Sequence, residues 1–122
     1  MIRSVGVDLV EVDRVRVAVE RWGDRFLRRV YTEAEIDYCF QKGERYRSLA
    51  ARFAAKEAVM KALGTGWKRG VRWVDIEVVR RAGAAPEVVL HGQSRVLGRG
   101  GRFLLSLSHT HEHAVAMVVV EE

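Results

Sequence analysis

Cysteine and proline are almost missing from this chain of 122 residues, which holds one of each. The lone Cys39 excludes an internal disulfide and suits a reducing, cytoplasmic setting, where it reads as a packing residue. A single proline beside 48% hydrophobic residues excludes a disordered chain. No apolar run approaches the roughly 20 residues of a membrane span. The opening "MIRSVGVDLVEVDRV" is acidic after Arg3 and lacks the apolar core of a signal peptide. There is no repeat, low-complexity tract or linker, so residues 1–122 are expected to form one domain with a modest core. What the sequence does have is positive charge, a net +5 at neutral pH. That asks for an anionic partner: nucleic acid, nucleotide phosphates or an acidic protein. Composition does not choose among them.

"IRSVGVD" alternates as a strand, with Val5, Val7 and Leu9 on one face. Asp8 and Glu11 then form an Asp-x-x-Glu helix start like a capping box. Val12, Val15, Val19 and Trp22 follow at helical spacing; Gly23-Asp24 breaks or kinks the helix, and Phe26 stays in phase. "YTEAEIDYCF" starts a second helix, with Thr32 and Glu35 as a capping box. Residues 43–47 read as a loop, and a third helix starts near Ser48. "VRWVDIEVVR" and "PEVVLHG" read as strands joined through "RAGAA" in a hairpin, and "QSRVLGR" as a short helix. "FLLSLSH" and "AVAMVVVE" are two further strands joined by "THEH". This order predicts an α+β fold, a largely antiparallel sheet packed with helices.

On a wheel of about 100° per residue, the apolar residues of the first helix span about 80°. Arg14, Arg21, Arg25 and Arg28 cluster opposite them, within about 60° if the helix runs nearly unbroken through Gly23. Charges opposite a core are usually a solvated face, but a row of arginines suits bidentate binding of carboxylates or phosphates.

The segment "RFAAKEAVMKALGTG" (52–66) sets charges among small residues. Ala54, Ala55, Ala58, Val59 and Ala62 form a face that lets another backbone come close. Glu57 and Lys61 lie i,i+4 on one edge, and Arg52 and Lys56 lie i,i+4 near the other. The plain reading is surface pairing. The sharper one is a site holding a divalent cation on Glu57 and phosphates on Arg52 and Lys61, with Gly64-Thr65-Gly66 admitting the ligand to the backbone. It is no P-loop: the glycines follow a helix and no Lys-Ser/Thr comes after them. His109, His111 and His113 read as H-x-H-x-H, which taken alone suggests zinc.

Three separated segments carry a resemblance: "GVDLVEVDRV" (6–15), "RFAAKEAVMKALGTG" (52–66) and "SLSHTHEHAVAMVVVE" (106–121). In order and spacing they resemble the holo-acyl-carrier-protein synthases of the 4′-phosphopantetheinyl transferase superfamily, over nearly the whole chain. The resemblance implies transfer of 4′-phosphopantetheine from coenzyme A to a serine of apo-acyl carrier protein, with Mg²⁺. The setting it implies is cytoplasmic fatty-acid biosynthesis. It implies that Asp8 and Glu57 are metal-binding carboxylates, and that Lys61 lies beside the pyrophosphate. Arg52 would contact coenzyme A, with Gly64, Thr65 and Gly66 at the nucleotide and Ser108 and His109 at the coenzyme site. Asp8, Glu57, Lys61 and His109 would be the catalytic group. Arg14 would contact the carrier, and the arginine row read from the wheel extends that expectation to Arg21, Arg25 and Arg28. It implies a homotrimer with sites between subunits, and neither nucleic acid nor membrane as partner. The rival reading, a small basic nucleic-acid-binding module, explains the charge but leaves Asp8 and Glu57 unexplained.

Overall fold

The computed structural model describes residues 1–64 and 70–122. Strand β1 (Ile2–Glu11) leads into helices α1 (Val12–Trp22), α2 (Asp24–Val30), α3 (Glu33–Phe40) and α4 (Arg45–Leu63). A 3₁₀ turn (Trp73–Asp75), β2 (Ile76–Val79), β3 (Glu87–Leu90), α5 (Gly92–Gly98), β4 (Arg102–His109) and β5 (His113–Glu121) follow among the described residues. The strands form two antiparallel sheets, one ordered β1-β5-β4 and one a β2-β3 hairpin. The α+β class with antiparallel sheets is as the sequence predicts.

The core lies between α4 and one face of the three-stranded sheet. Ala54, Ala55, Ala58 and Val59 of α4 are fully buried, as are Ala116, Val118 and Val120 of β5. Small residues here bring backbones together. A Cβ built on Gly6 of β1 would stand 2.0 Å from the Ala58 carbonyl oxygen, so only glycine lets β1 lie this close to α4. Ser4, two residues earlier on the same face, donates its hydroxyl to the Ala62 carbonyl. The alanine face therefore packs the chain's own sheet.

Pairing overrides several local signals. Asp8-x-x-Glu11 does not start a helix: both residues remain in β1, paired with Ala116 and His113, and Glu11 makes no side-chain cap. The Val12 N–H bonds the Glu112 carbonyl instead. Residues 45–47, expected in a loop, form the first turn of α4, where Arg47 pairs with Glu44 at 2.6 Å. Gly23, at φ 55° and ψ −132°, ends α1 outright; Trp22 is left exposed while Phe26 packs against the core. The strand expected over 71–80 is confined to Ile76–Val79, because Asp75 bonds back to Arg72 and takes the His91 N–H on its carbonyl. The capping box at Thr32 and Glu35 is present in full.

Candidate active site

The close seating of β1 on α4 places Asp8 where an α4 side chain reaches it. Lys61 Nζ donates to Asp8 Oδ1 at 3.0 Å and to the Val7 carbonyl at 3.1 Å. The Lys61 side chain stays 58% exposed, so its ammonium still meets solvent. Glu57 lies one turn earlier on α4. It does not pair with Lys61, as its i,i+4 spacing suggests, because Lys61 bends to Asp8. Glu57 Oε2 instead accepts the Trp73 indole N–H at 2.8 Å. Gly64 caps α4 in the left-handed conformation, φ 75°, immediately beyond these side chains. Thr65 and Gly66 lie outside the described residues.

Arg52 and Lys56 are not a surface set. Both are buried on the side of α4 away from Lys61. The Arg52 guanidinium lies 4.3 Å from the centroid of the Tyr38 ring, a cation–π contact, and its buried Nε has no hydrogen-bond partner. Within this chain Arg52 is therefore not brought to Asp8, Glu57 and Lys61, and the single wall the sequence suggested is split in two. Lys56 is wholly buried and pairs with Glu35 Oε1 at 2.8 Å, while also donating to the Trp73 and Ile76 carbonyls. Glu35 Oε2 accepts the Val78 N–H, so one ion pair ties α3, α4 and β2 together. Burial pulls the Lys56 ammonium below the ordinary lysine range, and the Glu35 carboxylate opposes it. Burial also pushes the Cys39 thiol up to about 11, against the nearby Arg52 charge; it is no thiolate nucleophile at neutral pH.

Ser108 and His109 end β4 and are exposed. They lie on the edge strand opposite β1, with β5 between, and His109 lines a cleft with Tyr38, Lys42, Arg80 and Arg81. His111 hydrogen-bonds Arg47 through Nδ1 at 2.6 Å. Among the described residues, no three His, Cys, Asp or Glu side chains converge as a metal cluster, so the H-x-H-x-H spacing does not become a three-ligand zinc site. The chemistry of two carboxylates, Asp8 on β1 and Glu57 on α4, instead fits Mg²⁺, which takes one or two protein carboxylates and fills its shell with phosphate oxygens and water.

Arg14, Arg21, Arg25 and Arg28 are all exposed, but the break at Gly23 divides them into two pairs, one on α1 and one on α2. The single row across a continuous helix is corrected accordingly. Arg14, Arg25 and Arg28 make no ion pair among the described residues, whereas Arg16 is held by Asp13 and Glu20. Beside the α2 pair runs a shallow groove floored by Trp22, Phe26, Phe53 and Trp73. Sequence reasoning missed Trp73, which reads as one more apolar residue of a strand, and missed the partner of Lys56, which lies 21 residues away in another helix.

Residues 4–118 match the family model of the 4′-phosphopantetheinyl transferase superfamily. A holo-[acyl-carrier-protein] synthase of Koribacter versatilis is 51% identical over 125 residues, with all of both chains covered. The crystal structure of a holo-(acyl-carrier-protein) synthase from Bacillus anthracis, in complex with CoA (3′,5′-ADP), is 35% identical. It superposes with a TM-score of 0.83 over 100% of this chain and 98% of that one. The Neisseria meningitidis holo-[acyl-carrier-protein] synthase is 33% identical, with a TM-score of 0.87 and full coverage of both chains. Sequence, length and fold thus agree along the whole molecule, and the chain belongs to the holo-acyl-carrier-protein synthases of the 4′-phosphopantetheinyl transferase superfamily.

Proposed function

We propose that this chain transfers 4′-phosphopantetheine from coenzyme A to a serine of an apo-acyl carrier protein in the cytoplasm, with Mg²⁺ held by Asp8 and Glu57. The observation that carries the reading is the bridge from Lys61 to Asp8, 3.0 Å long, one helical turn from Glu57. It sets two carboxylates and an exposed ammonium on facing elements at the C-terminal end of α4. Serine Oγ bonds to the phosphorus bearing the pantetheine, the pyrophosphate P–O bond breaks, adenosine 3′,5′-bisphosphate leaves, and the hydroxyl proton is released. Such a reaction needs charge neutralised more than it needs a covalent intermediate. Mg²⁺ bound there supplies polarisation of the phosphoryl oxygens. Lys61 supplies a fixed positive charge where negative charge develops. Asp8 holds that ammonium against β1 through Oδ1 and, with Glu57, would hold the cation.

Arg52, Ser108 and His109 are proposed as coenzyme A contacts, together with Gly64, Thr65 and Gly66. The first three lie away from Asp8 and Lys61 within one chain, which supports sites completed between two copies. The sheet offers the surface for this. The face turned away from α4 exposes Val5, Val7 and Leu9 of β1, Leu104 of β4 and Met117 of β5. A contiguous apolar patch of this kind marks an interface. We assign it to a homotrimer. Carrier docking is assigned to Arg14, Arg21, Arg25 and Arg28, which are exposed and make no ion pair among the described residues.

Mixing the protein with coenzyme A, Mg²⁺ and an apo-carrier tests the reaction. The carrier should gain the mass of phosphopantetheine, and no gain would overturn the reading. Glu57→Ala should abolish transfer with the fold intact; an active, folded variant removes the metal assignment.

A further inference from the structure

Of the two carboxylates assigned to the metal, Asp8 is steadied by Lys61, and the question is what steadies Glu57. Its natural helical neighbour Lys61 has turned away to β1. Among the described residues, the hydrogen bond to Glu57 comes from the Trp73 indole, at 2.8 Å on Oε2. Oε1 has no donor among them. The indole therefore pins one oxygen and leaves the other directed elsewhere.

Trp73 is itself held from two sides. Its carbonyl accepts from Lys56 Nζ at 3.1 Å, and the same ammonium holds the Ile76 carbonyl and the buried Glu35. Adjacent residues of α4 thus grip the same 3₁₀ turn, Lys56 by its backbone and Glu57 by its indole. The ring lies against Phe53, also of α4, with centroids 6.0 Å apart and planes tilted by 35°. The backbone of the turn and the face of the ring are thus each held by a residue other than Glu57, so the N–H is placed independently of the carboxylate that accepts it. A half-buried tryptophan N–H usually finds some acceptor; here the acceptor is a carboxylate on the helix edge that also presents Lys61.

We infer that Trp73 is a positioning residue for Glu57, orienting its carboxylate toward the cation through the indole N–H. The inference rests on the metal reading of Glu57. Partners that orient a ligating carboxylate typically change metal affinity by about 10–100-fold when removed. The fully buried Lys56–Glu35 pair has, on this view, a second consequence: it anchors the turn that carries the indole.

The test titrates Mn²⁺, as a spectroscopic stand-in for Mg²⁺, onto the full-length protein with coenzyme A present, read by electron paramagnetic resonance. Trp73→Phe keeps a ring against Phe53 and removes the N–H. It should weaken Mn²⁺ binding by about tenfold or more, with the thermal midpoint little changed. In a Glu57→Ala background Trp73→Phe should have no further effect on Mn²⁺ binding, since residues acting as a unit are not additive. Mn²⁺ binding within twofold of the parent, or full additivity in the double variant, would overturn the inference and leave the transferase reading standing. Binding indifferent to Glu57→Ala itself would overturn both the metal assignment and the inference. If Trp73→Phe fails to fold, 3-benzothienylalanine at position 73 keeps the bicyclic shape without the N–H, and the same outcomes decide.

Discussion

Lys56 has no exposed surface, yet it carries an ammonium with three oxygen partners: Glu35 and the carbonyls of Trp73 and Ile76. Removing one member of such a pair strands the other charge in a medium that cannot solvate it. Lys56→Met should cost about 3–5 kcal/mol, the usual penalty for breaking a buried pair, measured by urea unfolding. At the same scale Cys39 offers a clean check on burial. Its thiol is raised from about 9 when unfolded to about 11 in the fold, so the folded state holds its proton more tightly. This contribution to stability is whole below pH 9 and is lost as pH rises through 11. Iodoacetamide at pH 8 should label Cys39 only after denaturation; rapid labelling of the native protein would contradict its burial. Neither residue's surroundings were legible in the sequence. A helical wheel gives the direction in which Lys56 points but not that Glu35, from a capping box one helix earlier, points back. The capping box was legible because both its members lie within four residues.

Among the elements, α4 and β1 decide where the candidate site falls. The alanines of α4 announce a close approach in the sequence, and the structure supplies the partner, β1, at Gly6. Gly6→Ala would drive a methyl into the Ala58 carbonyl, so β1 must rise off the helix. Overpacking of a tight core costs about 1–3 kcal/mol, and here the shift also draws Asp8 away from Lys61. The variant should therefore lose both stability and transfer rate, by thermal melting and by carrier mass gain. A variant that melts early but transfers at the parental rate would uncouple the β1–α4 seat from the site. The misread boundary at Asp8 has the same origin. A carboxylate followed three residues later by glutamate looks like a helix start, but β5 pairs with β1 as far as Glu11, and strand pairing wins. Such pairing joins residues more than a hundred positions apart and leaves no local mark. It turns a would-be cap into a side chain facing Lys61.

For the molecule as a whole, the fold class was legible because strand alternation and helix signals are local, whereas the three candidate-site segments stood out through a family resemblance. The destination of each sheet face was not legible. Alternation puts Val5, Val7 and Leu9 on one face but is silent on whether α4 or water lies against it. The structure gives the α4 side to Gly6, Asp8 and Val10, leaving the valines and Leu9 outside, with Leu9 66% exposed. Met117 of β5 pairs with Val7 and with Ser106 of β4, so this face continues across all three strands. Burying five such side chains in an assembly offsets the cost of ordering it; a charge placed among them must be desolvated without a partner. Val7→Glu with Met117→Glu leaves the α4 face of the sheet untouched and should convert the proposed trimer to monomers in analytical ultracentrifugation. Arg52, Ser108 and His109 would then face no second copy. Transfer should fall by about a hundredfold or more, corresponding to the loss of several substrate contacts at about 1 kcal/mol or more each, while circular dichroism keeps its helical signal. Monomers that transfer at the parental rate would show that one chain holds a complete site, and would return Arg52 and His109 to purely structural roles.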